Sequence, residues 1–421
     1  MQKVKALIIS KLANKDFMLA LAASIIPILI RIVYIRSVSY LIPTDVFGAI
    51  SISLVLIALL SQLSLALPSQ AFRRFYNENI DQLDHFRSEF RLYLFFLILF
   101  SFFVGLAYFK VSFKDEGIYL YLLVYFAFVI EAIYSLAQSD LLLGLKRKKF
   151  LVYKIAHSVI WNIIPVLCYI YFKTIESFFL GIIISGSCFY IFARPKVKLE
   201  FSFCKIRTKK YFTFAYPIII TSIASWSIMA SDRFFIDHYM DKASIGVYSI
   251  LYQVGAIASV FSMVFMTYVN PLVLKKYEES SNEGIELLYR YANIFSVILV
   301  IFFGVFLFTP RFLLELLISP SILEVEDARL TLNLITISVI FSILHTTYGI
   351  VFFLKKKISY IGNLTLLCAV INFICNFSIS KYGLLGAAGS TFISYFLLFI
   401  LTIYYTNKVK DTELEPANGR L

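Results

Sequence analysis

Residues 17–40 read FMLALAASIIPILIRIVYIRSVSY, and Arg31 and Arg36 are the only charged side chains in this run. A helix of this length rises about 36 Å, which is enough to cross a hydrocarbon core of about 30 Å. Comparable runs recur along the 421 residues, 60% of which are hydrophobic, so a water-soluble globular protein is excluded. The runs lie at residues 17–40, 46–67, 91–109, 117–142, 151–172, 177–194, 211–239, 245–270, 289–309, 328–354, 359–379 and 383–405.

These runs predict an all-α polytopic membrane protein with about 12 transmembrane helices. Lipid offers no partner for free backbone N–H and C=O groups, so only helices and closed barrels can span it. The strands of a barrel would alternate in hydrophobicity, and these runs do not.

The basic residues predict the orientation of the chain. Of the 39 Lys and Arg, 29 lie at the termini or by the connections after even-numbered segments, and seven by the other connections. Short loops rich in Lys and Arg stay in the cytoplasm, so both termini are predicted to be cytoplasmic. The net charge of +13 then follows from topology and from contact with anionic membrane lipids, and no nucleic-acid partner is expected.

Other patterns exclude several kinds of function. No connection exceeds about 25 residues, so no soluble domain is expected, and no phosphate-binding glycine motif is present. The five cysteines form no CxxC and have no metal-ligand spacing. The first segment is expected to be a retained signal anchor. We therefore expect no catalytic residue, no cofactor and no metal, and do not expect an enzyme.

The two halves of the chain contain similar stretches in the same order. PTDVFGAISISL at 43–54 matches MDKASIGVYSIL at 240–251, and RFYNE at 74–78 matches KKYEE at 275–279. LKRKK from Leu145 matches LKKK from Leu354. A parallel repeat of two six-helix lobes is predicted, and transporters built this way bind substrate between their halves.

Three stretches also carry a family resemblance. They are LIPTDVFGAISI at 41–52, YFTFAYPIIITSIASWSIMASDRFFIDHYMDKASIGVYSIL at 211–251, and KYGLLGAAGSTFIS at 381–394. The second contains Pro217, Asp232, Arg233, Gly246 and Tyr248. The chain resembles the Wzx-type polysaccharide flippases, which export O-antigen or capsule units, of the multidrug/oligosaccharidyl-lipid/polysaccharide superfamily.

The resemblance implies a MATE-like fold and a transport function. The expected domains are an N-terminal lobe at 1–194, a cytoplasmic linker at 195–210, a C-terminal lobe at 211–407 and a tail at 408–421. The expected substrate is an undecaprenyl-pyrophosphate-linked oligosaccharide, flipped from the cytoplasmic to the periplasmic leaflet of the bacterial inner membrane by alternating access. Polysaccharide polymerase and chain-length machinery are potential protein partners.

Charged residues inside the first segment are candidates for the site, because charge in a span is costly. Arg31 falls near Ser24 and Pro27 on a helical wheel. Since Arg binds phosphate oxygens with a planar fork, we expect Arg31 and Ser24 to bind pyrophosphate. A pairing or snorkelling arginine is the alternative. Arg36 points away from Arg31 and is assigned to a gate.

The seventh segment carries a second candidate set. Thr221, Ser225 and Asp232 form a polar stripe next to Arg233, and Thr221, Ser225 and Arg233 are assigned to the substrate cavity. Asp232 is expected to face the cavity and to latch a gate against Arg31 or Arg36, while Asp237 pairs with Arg233. A structural ion-pair cluster is the equal alternative.

Three more titratable residues lie inside segments: Glu131, His157 and His345. Each is a candidate for carrying a coupling proton, against the alternative of a hydrogen-bonded structural residue. The polar amides Asn162, Asn333, Asn372, Asn376 and Gln253 are expected to join neighbouring helices.

Other functions stay open on the sequence. An ion-coupled drug or cation antiporter of the same superfamily would favour an acidic cavity, whereas the charges inside the segments do not lean acidic. A lipid II flippase is a closer alternative, although that kind usually has two more helices. A membrane-embedded transferase and a non-transport component of polysaccharide assembly are the remaining alternatives.

The bias of basic residues gives a direct test of topology. Reporter fusions after Lys148, Lys198 and Lys356 should be cytoplasmic, and fusions after Lys242 and Lys381 should be periplasmic, because Lys and Arg concentrate on the cytoplasmic side. Alkaline phosphatase and fluorescent-protein fusions measure this. A periplasmic signal at Lys198 would exclude the six-plus-six parallel repeat.

Overall fold

A computed structural model gives the fold and describes residues 15–112, 117–143, 147–193, 205–355 and 357–411. Within these ranges, the regular elements are all helices. The prediction of an all-α fold is therefore confirmed.

The chain divides into two compact units, Met1–Ile219 and Ile220–Leu421. The N-terminal unit contains six long helices and the start of a seventh. They are α1 (Lys15–Leu41), α2 (Thr44–Phe75), α3 (Leu83–Ser112), α4 (Ile118–Leu143), α5 (Arg147–Phe172), α6 (Ile175–Ala193) and α7 (Lys205–Ala230). A 3₁₀ turn, Asn77–Gln82, joins α2 to α3.

The C-terminal unit contains the rest of α7 and eleven further helices, several of which are short. They are α8 (Asp232–Tyr239), α9 (Lys242–Gly255), α10 (Ser259–Val264), α11 (Asn270–Glu279), α12 (Ser281–Leu307), α13 (Arg311–Leu314), α14 (Pro320–Leu323), α15 (Ala328–Tyr348), α16 (Ile350–Leu354), α17 (Ile358–Cys375) and α18 (Ile379–Asp411).

Nine helical stretches in the described part of the chain are long and apolar enough to cross a membrane. The last of them, Ser359–Val409, contains both α17 and α18, and a shorter apolar stretch, Ile175–Cys188, lies in α6. Each of the twelve predicted segments falls on a helix. The chain is therefore a multi-pass membrane protein.

Two glycines on α6 allow close packing within the N-terminal unit. A Cβ built on Gly181 would lie 2.6 Å from Pro165 Cα of α5, and one on Gly186 would lie 1.8 Å from Ile130 Cγ2 of α4. Because real Cβ atoms cannot approach so closely, only glycine lets α6 lie this near to both neighbours. The Ser185 hydroxyl, between these glycines, donates to the Ile160 carbonyl at 3.2 Å.

The first turns of α7 are attached to the N-terminal unit. Tyr211 is buried and its ring lies 4.9–6.5 Å from the rings of four aromatic side chains. They are Phe75, Phe86, Phe90 and Tyr93, with Phe214 contacting Phe75 at 5.5 Å. The Lys210 ammonium binds Glu78 at 2.9 Å and holds the pKa of that carboxyl below its usual value.

The core of the C-terminal unit lies where α15 packs on α18, α9 and α12. A buried apolar cluster joins α7, α17 and α18 and consists of Ala224, Ile228, Leu364, Cys368, Ala369, Tyr395 and Leu398. The helix α9 begins at a capped end, where Asp241 accepts from the backbone N–H of Ser244 at 2.7 Å. This bond lowers the pKa of the Asp241 carboxyl and satisfies a donor that a helix start leaves free.

Several predicted segments are interrupted in the structure. Segment 245–270 falls on α9, a 3₁₀ turn at Ala256–Ala258, α10 and a π-helical turn at Phe265–Val269, and segment 328–354 falls on α15 and α16. The segment predicted at 211–239 breaks at Ser231, where α7 ends and α8 begins. The segment predicted to start at residue 383 begins at Ile379, and Gly383 inside it has φ +52°. Glycine adopts this left-handed conformation without a steric penalty, so the chain bends there.

The matched stretches of the two halves occupy corresponding places in the helix order. PTDVFGAISISL lies at the start of α2 and MDKASIGVYSIL at the start of α9, while RFYNE and KKYEE lie at the ends of α2 and α11. Of the predicted linker, Lys205–Lys210 is the first part of α7, and the rest lies outside the described residues, as do residues 412–421 of the predicted tail.

The close approach at Gly181 predicts that an alanine there lowers stability more than an alanine at a glycine with open space around it. Gly181→Ala should destabilise the protein by about 1–3 kcal/mol, since the added methyl meets the Pro165 backbone. Gly304→Ala is the matched control, because no atom lies within 4 Å of its added Cβ, and it should be neutral or slightly stabilising. Thermal unfolding in detergent measures both, and equal melting temperatures would contradict the packing argument.

Candidate functional site

Arg31 lies ten residues before the end of α1, four residues after the internal Pro27. The Arg31 guanidinium is exposed and donates a long hydrogen bond, 3.4 Å, to the Asn162 side-chain carbonyl of α5. It also lies 4.9 Å from the ring centre of the buried Tyr34. Asn162 is itself fixed, because its amide donates to the Ser158 carbonyl at 2.7 Å. Arg31 is thus positioned at a contact between α1 and α5 with part of its surface open.

The other predicted residues of the first segment are less informative. Arg36 is also exposed, and its guanidinium lies 5.0 Å from the Tyr40 ring centre. The side chain of Ser24 lies outside the described residues, so its expected place beside Arg31 stays a prediction.

Glu131 and His157 are in contact, although the sequence predicts each as an individual candidate and does not predict the contact. A Glu131 carboxylate oxygen on α4 lies 3.3 Å from Nε2 of His157 on α5. The imidazole stacks on Tyr134 with 3.7 Å between centroids and a 5° angle between planes. Trp161 stacks near the imidazole at 5.1 Å. The pair is therefore fixed by aromatic rings within the N-terminal unit.

The C-terminal unit contains a buried ion pair at the break between α7 and α8. Asp232 is 0% exposed and Arg233 is 7% exposed. The Arg233 Nη1 donates to Asp232 Oδ1 at 3.0 Å, and the Arg233 backbone N–H donates to the same oxygen at 2.8 Å. The hydroxyl of Tyr248, on α9, donates to Oδ2 at 2.5 Å. Both carboxylate oxygens therefore have donors inside the unit.

The Arg233 guanidinium has further partners. Its Nε donates to the Ser249 hydroxyl at 3.3 Å, and its Nη1 to the Met229 carbonyl at 3.0 Å. The guanidinium carbon lies 4.8 Å from the ring centre of Tyr252 and 5.6 Å from that of Tyr248. These contacts stabilise a buried cation by hydrogen bonds and by aromatic faces.

Three expectations for the seventh segment are wrong. Asp237 pairs with Lys242 at 2.8 Å and not with Arg233. Asp232 has no exposed surface and so faces no open cavity. Thr221, Ser225 and Asp232 form no common accessible stripe, because Ser225 is exposed while Asp232 is fully buried. The break at Ser231 interrupts the helix between them. The latch between Asp232 and an arginine of the first segment stays a prediction.

His345 lies on α15 and its Nδ1 is 2.6 Å from the Thr402 hydroxyl on α18. Asn372 and Asn376 join helices as predicted, because they form a buried network with Ser231 and Ser390. This network lies beside the Asp232–Arg233 pair in sequence and connects α7, α17 and α18. Its role is to hold helices together.

The sequence analysis missed Glu89, a fully buried carboxylate on α3. Tyr93 donates to Glu89 at 2.7 Å, and the Arg207 guanidinium lies 3.6 Å away. The predicted third segment begins at residue 91, so Glu89 was assigned to a loop. The buried aromatic residues Phe86 and Phe90, which lie four positions apart and flank Glu89, could have shown that the helix begins at least one turn before residue 91. This contact attaches α7 to α3.

The charged residues are not arranged for metal binding. Within the described ranges, no three His, Cys, Asp or Glu side chains are grouped so that they could hold a metal ion. The geometry thus leaves two places for the proposals below, the partly exposed Arg31 and the contact between Glu131 and His157.

Comparisons with known proteins agree with this fold. Residues 217–378 match the MatE family. No protein in a search of curated proteins matches the chain. Among solved structures, "Lipid II flippase MurJ, inward closed conformation" is similar, with a TM-score of 0.70 and 16% identity over 93% of this chain and 87% of that one.

Two transporters of the MATE family are similar as well. "Inward-facing conformation of a multidrug resistance MATE family transporter of the MOP superfamily" has a TM-score of 0.69 and 13% identity, covering 95% of this chain and 100% of that one. "Crystal structure of MATE in the bent conformation" has a TM-score of 0.58 and 12% identity, covering 96% and 98%. The MATE-like fold is therefore shown. At these identities, the likeness extends to the fold alone.

The buried pair predicts a pattern of stability effects. Asp232→Ala or Arg233→Ala alone should each cost about 3–5 kcal/mol, because each leaves a buried charge unpaired, and the double alanine variant should cost less than the sum. Asp237→Asn is the control, since its pair is partly exposed and should cost under about 1 kcal/mol. Unfolding in detergent measures these values, and additive losses would contradict the pairing.

Proposed function

We propose that the chain is a flippase for an undecaprenyl-pyrophosphate-linked oligosaccharide, an O-antigen or capsule repeat unit. It would move this lipid from the cytoplasmic to the periplasmic leaflet of the bacterial inner membrane by alternating access. Both chain termini would be cytoplasmic, and polysaccharide polymerase and chain-length machinery are the proposed protein partners. The MATE-like fold, which MurJ and the MATE transporters share, supports transport as the broad class.

The observation that carries the proposal is the exposure of the intramembrane charges. Arg31 and Arg36 are exposed, whereas Asp232 is fully buried and bound by Arg233 and Tyr248. Glu131 lies against His157. The exposed charges described on α1 are therefore cationic, whereas Asp232 has no exposed surface. This pattern favours an anionic cargo.

Arg31 is the residue proposed to bind the pyrophosphate. It lies about 15 Å from the outer end of α1 by the helix rise, which is half the thickness of a hydrocarbon core of about 30 Å. A guanidinium offers two parallel donors to phosphate oxygens and is always charged. Asn162 holds the Arg31 side chain while leaving donors free for the ligand.

The second candidate function is ion-coupled export of a drug or cation. The match of residues 217–378 to the MatE family and the multidrug transporter among the similar structures favour it. Its cargo would need an accessible carboxylate, and Asp232 does not supply one in this conformation. The two candidate functions therefore differ in the charge of the cargo, which is anionic for the flippase and cationic for the antiporter.

Substitution of Arg31 tests the proposed anion site. In proteoliposomes holding an undecaprenyl-pyrophosphate-linked oligosaccharide, Arg31→Ala should slow the appearance of sugar on the opposite leaflet at least about tenfold, because a charge-assisted bond contributes about 1.5–3 kcal/mol. Arg31→Lys should restore part of the rate, since the charge remains but the fork is lost.

Arg36→Ala is the matched control, because Arg36 is an exposed arginine on the same helix that also contacts a tyrosine ring. It should change the rate less than Arg31→Ala does. Wild-type flipping by Arg31→Ala would reject the anion site. Proton-driven efflux of ethidium by the wild-type protein, with no flipping of the lipid-linked sugar, would favour the cation antiporter instead.

A further inference from the structure

The Glu131–His157 pair lies at the middle of its two helices. By the helix rise, Glu131 is about 20 Å from the start of α4 and His157 about 15 Å from the start of α5. Each group therefore lies far from both ends of a span, where an isolated charge is costly. A carboxylate and an imidazole in contact at this depth call for an explanation beyond anchoring at an interface.

The surroundings hold the pair in one geometry. Tyr134, on α4, stacks on the His157 imidazole. Trp161, one turn after His157 on α5, stacks near the same ring. Gly186 brings α6 against Ile130, the residue that precedes Glu131. The carboxylate cannot move away from the imidazole without disturbing these contacts.

Each side chain of the pair keeps some exposed surface, although the two atoms that meet, Glu131 Oε2 and His157 Nε2, are buried. The side chain of His157 is 16% exposed and that of Glu131 is 28% exposed. This distinguishes the pair from Asp232 and Arg233, whose side chains are 0% and 8% exposed. A buried ion pair that only stabilises the fold needs no open edge, whereas a group that exchanges protons does.

We infer that Glu131 and His157 together form the proton-binding site that couples transport to a proton gradient. With one shared proton, the pair is neutral, whether the proton lies on the carboxylate or on the imidazole. A second proton gives a net charge of +1, and loss of the shared proton gives −1. Two ionisable groups in contact bind and release protons as a coupled unit.

The surrounding helices carry further charged and titratable groups. They include Arg31, Tyr34, Arg36 and Tyr40 on α1, Asp45, Arg73 and Arg74 on α2, Tyr119, Tyr121, Tyr125 and Tyr134 on α4, Lys149, Tyr153, Lys154, Cys168, Tyr169 and Tyr171 on α5, and Glu176 and Cys188 on α6. Arg73 donates to Ser139, two turns beyond Glu131. Arg31 reaches Asn162, about 7.5 Å along α5 from His157 by the helix rise. The proton site and the proposed anion site thus both involve α5.

His345 provides a contrast within the same chain. It also lies inside a span, yet its ring contacts a threonine hydroxyl and not a carboxylate. A histidine that donates to or accepts from a hydroxyl has a fixed hydrogen bond and gains no charged partner. His345 is therefore the matched control for His157.

The experiment measures proton flux and cargo movement in the same proteoliposomes, with a pH-sensitive dye inside. The cargo is an undecaprenyl-pyrophosphate-linked oligosaccharide, with ethidium in a parallel set. For wild type, an imposed pH gradient should accelerate cargo movement, and cargo should elicit proton flux. Glu131→Gln and His157→Phe should abolish both effects. His157→Phe keeps the aromatic stack, so the variant retains the packing around Tyr134.

His345→Gln should behave as wild type in both readings. The proposal is overturned if Glu131→Gln and His157→Phe keep the gradient dependence, or if neither cargo elicits proton flux in the wild-type protein. The inference deepens the proposed flippase function, and the two can fail separately. Proton flux with ethidium alone, lost in Glu131→Gln, would keep the proton site and reject the lipid-linked cargo.

Discussion

A charge placed in hydrocarbon must have a partner, and this constraint organises both units of the chain. Asp232 and Arg233 neutralise each other inside the C-terminal unit. The Tyr248 hydroxyl donates to the other Asp232 oxygen, and the Ser249 hydroxyl accepts from Arg233 Nε. Glu89 has Tyr93 and Arg207 in the N-terminal unit. Removing one partner of such a pair costs more than the pair contributes. Helix positions are therefore fixed by these contacts as well as by apolar packing.

The same constraint separates structural charges from functional ones. Charges with every oxygen or nitrogen bonded and no exposed surface hold helices together, as Asp232 does. Arg31 and the Glu131–His157 pair are partly exposed, and we propose that a ligand and a proton bind there. These three residues lie on α1, α4 and α5. The N-terminal unit thus carries the groups that we propose to act in transport, while the C-terminal unit carries the most buried ion pair and the match to the MatE family.

Much of the fold was predictable because hydropathy reports directly on what lipid demands of a helix. The twelve segments fall on helices for this reason, and Asn372 and Asn376 join helices as expected. The partners of charged residues were not predictable, because they depend on which helices are neighbours. Glu131 and His157 lie 26 positions apart in sequence, and nothing in the sequence places α4 against α5 at that height. The pairing of Asp237 with Lys242 was also not predictable, because Arg233, four residues earlier on α8, binds Asp232 instead, and Lys242 lies just beyond the end of α8.

The adjacency of Asp232 and Arg233 in the sequence has a consequence for biogenesis. A span enters the membrane before its tertiary neighbours are in place, and each unpaired charge raises the cost of that step. Here the Arg233 backbone N–H and guanidinium both bind the preceding carboxylate, so the two charges can enter as a locally neutral unit. Glu131 has no such neighbour and gains its imidazole only when α5 arrives. The order of synthesis therefore places the pair that is neutral from the start and the pair that forms later under different demands during insertion.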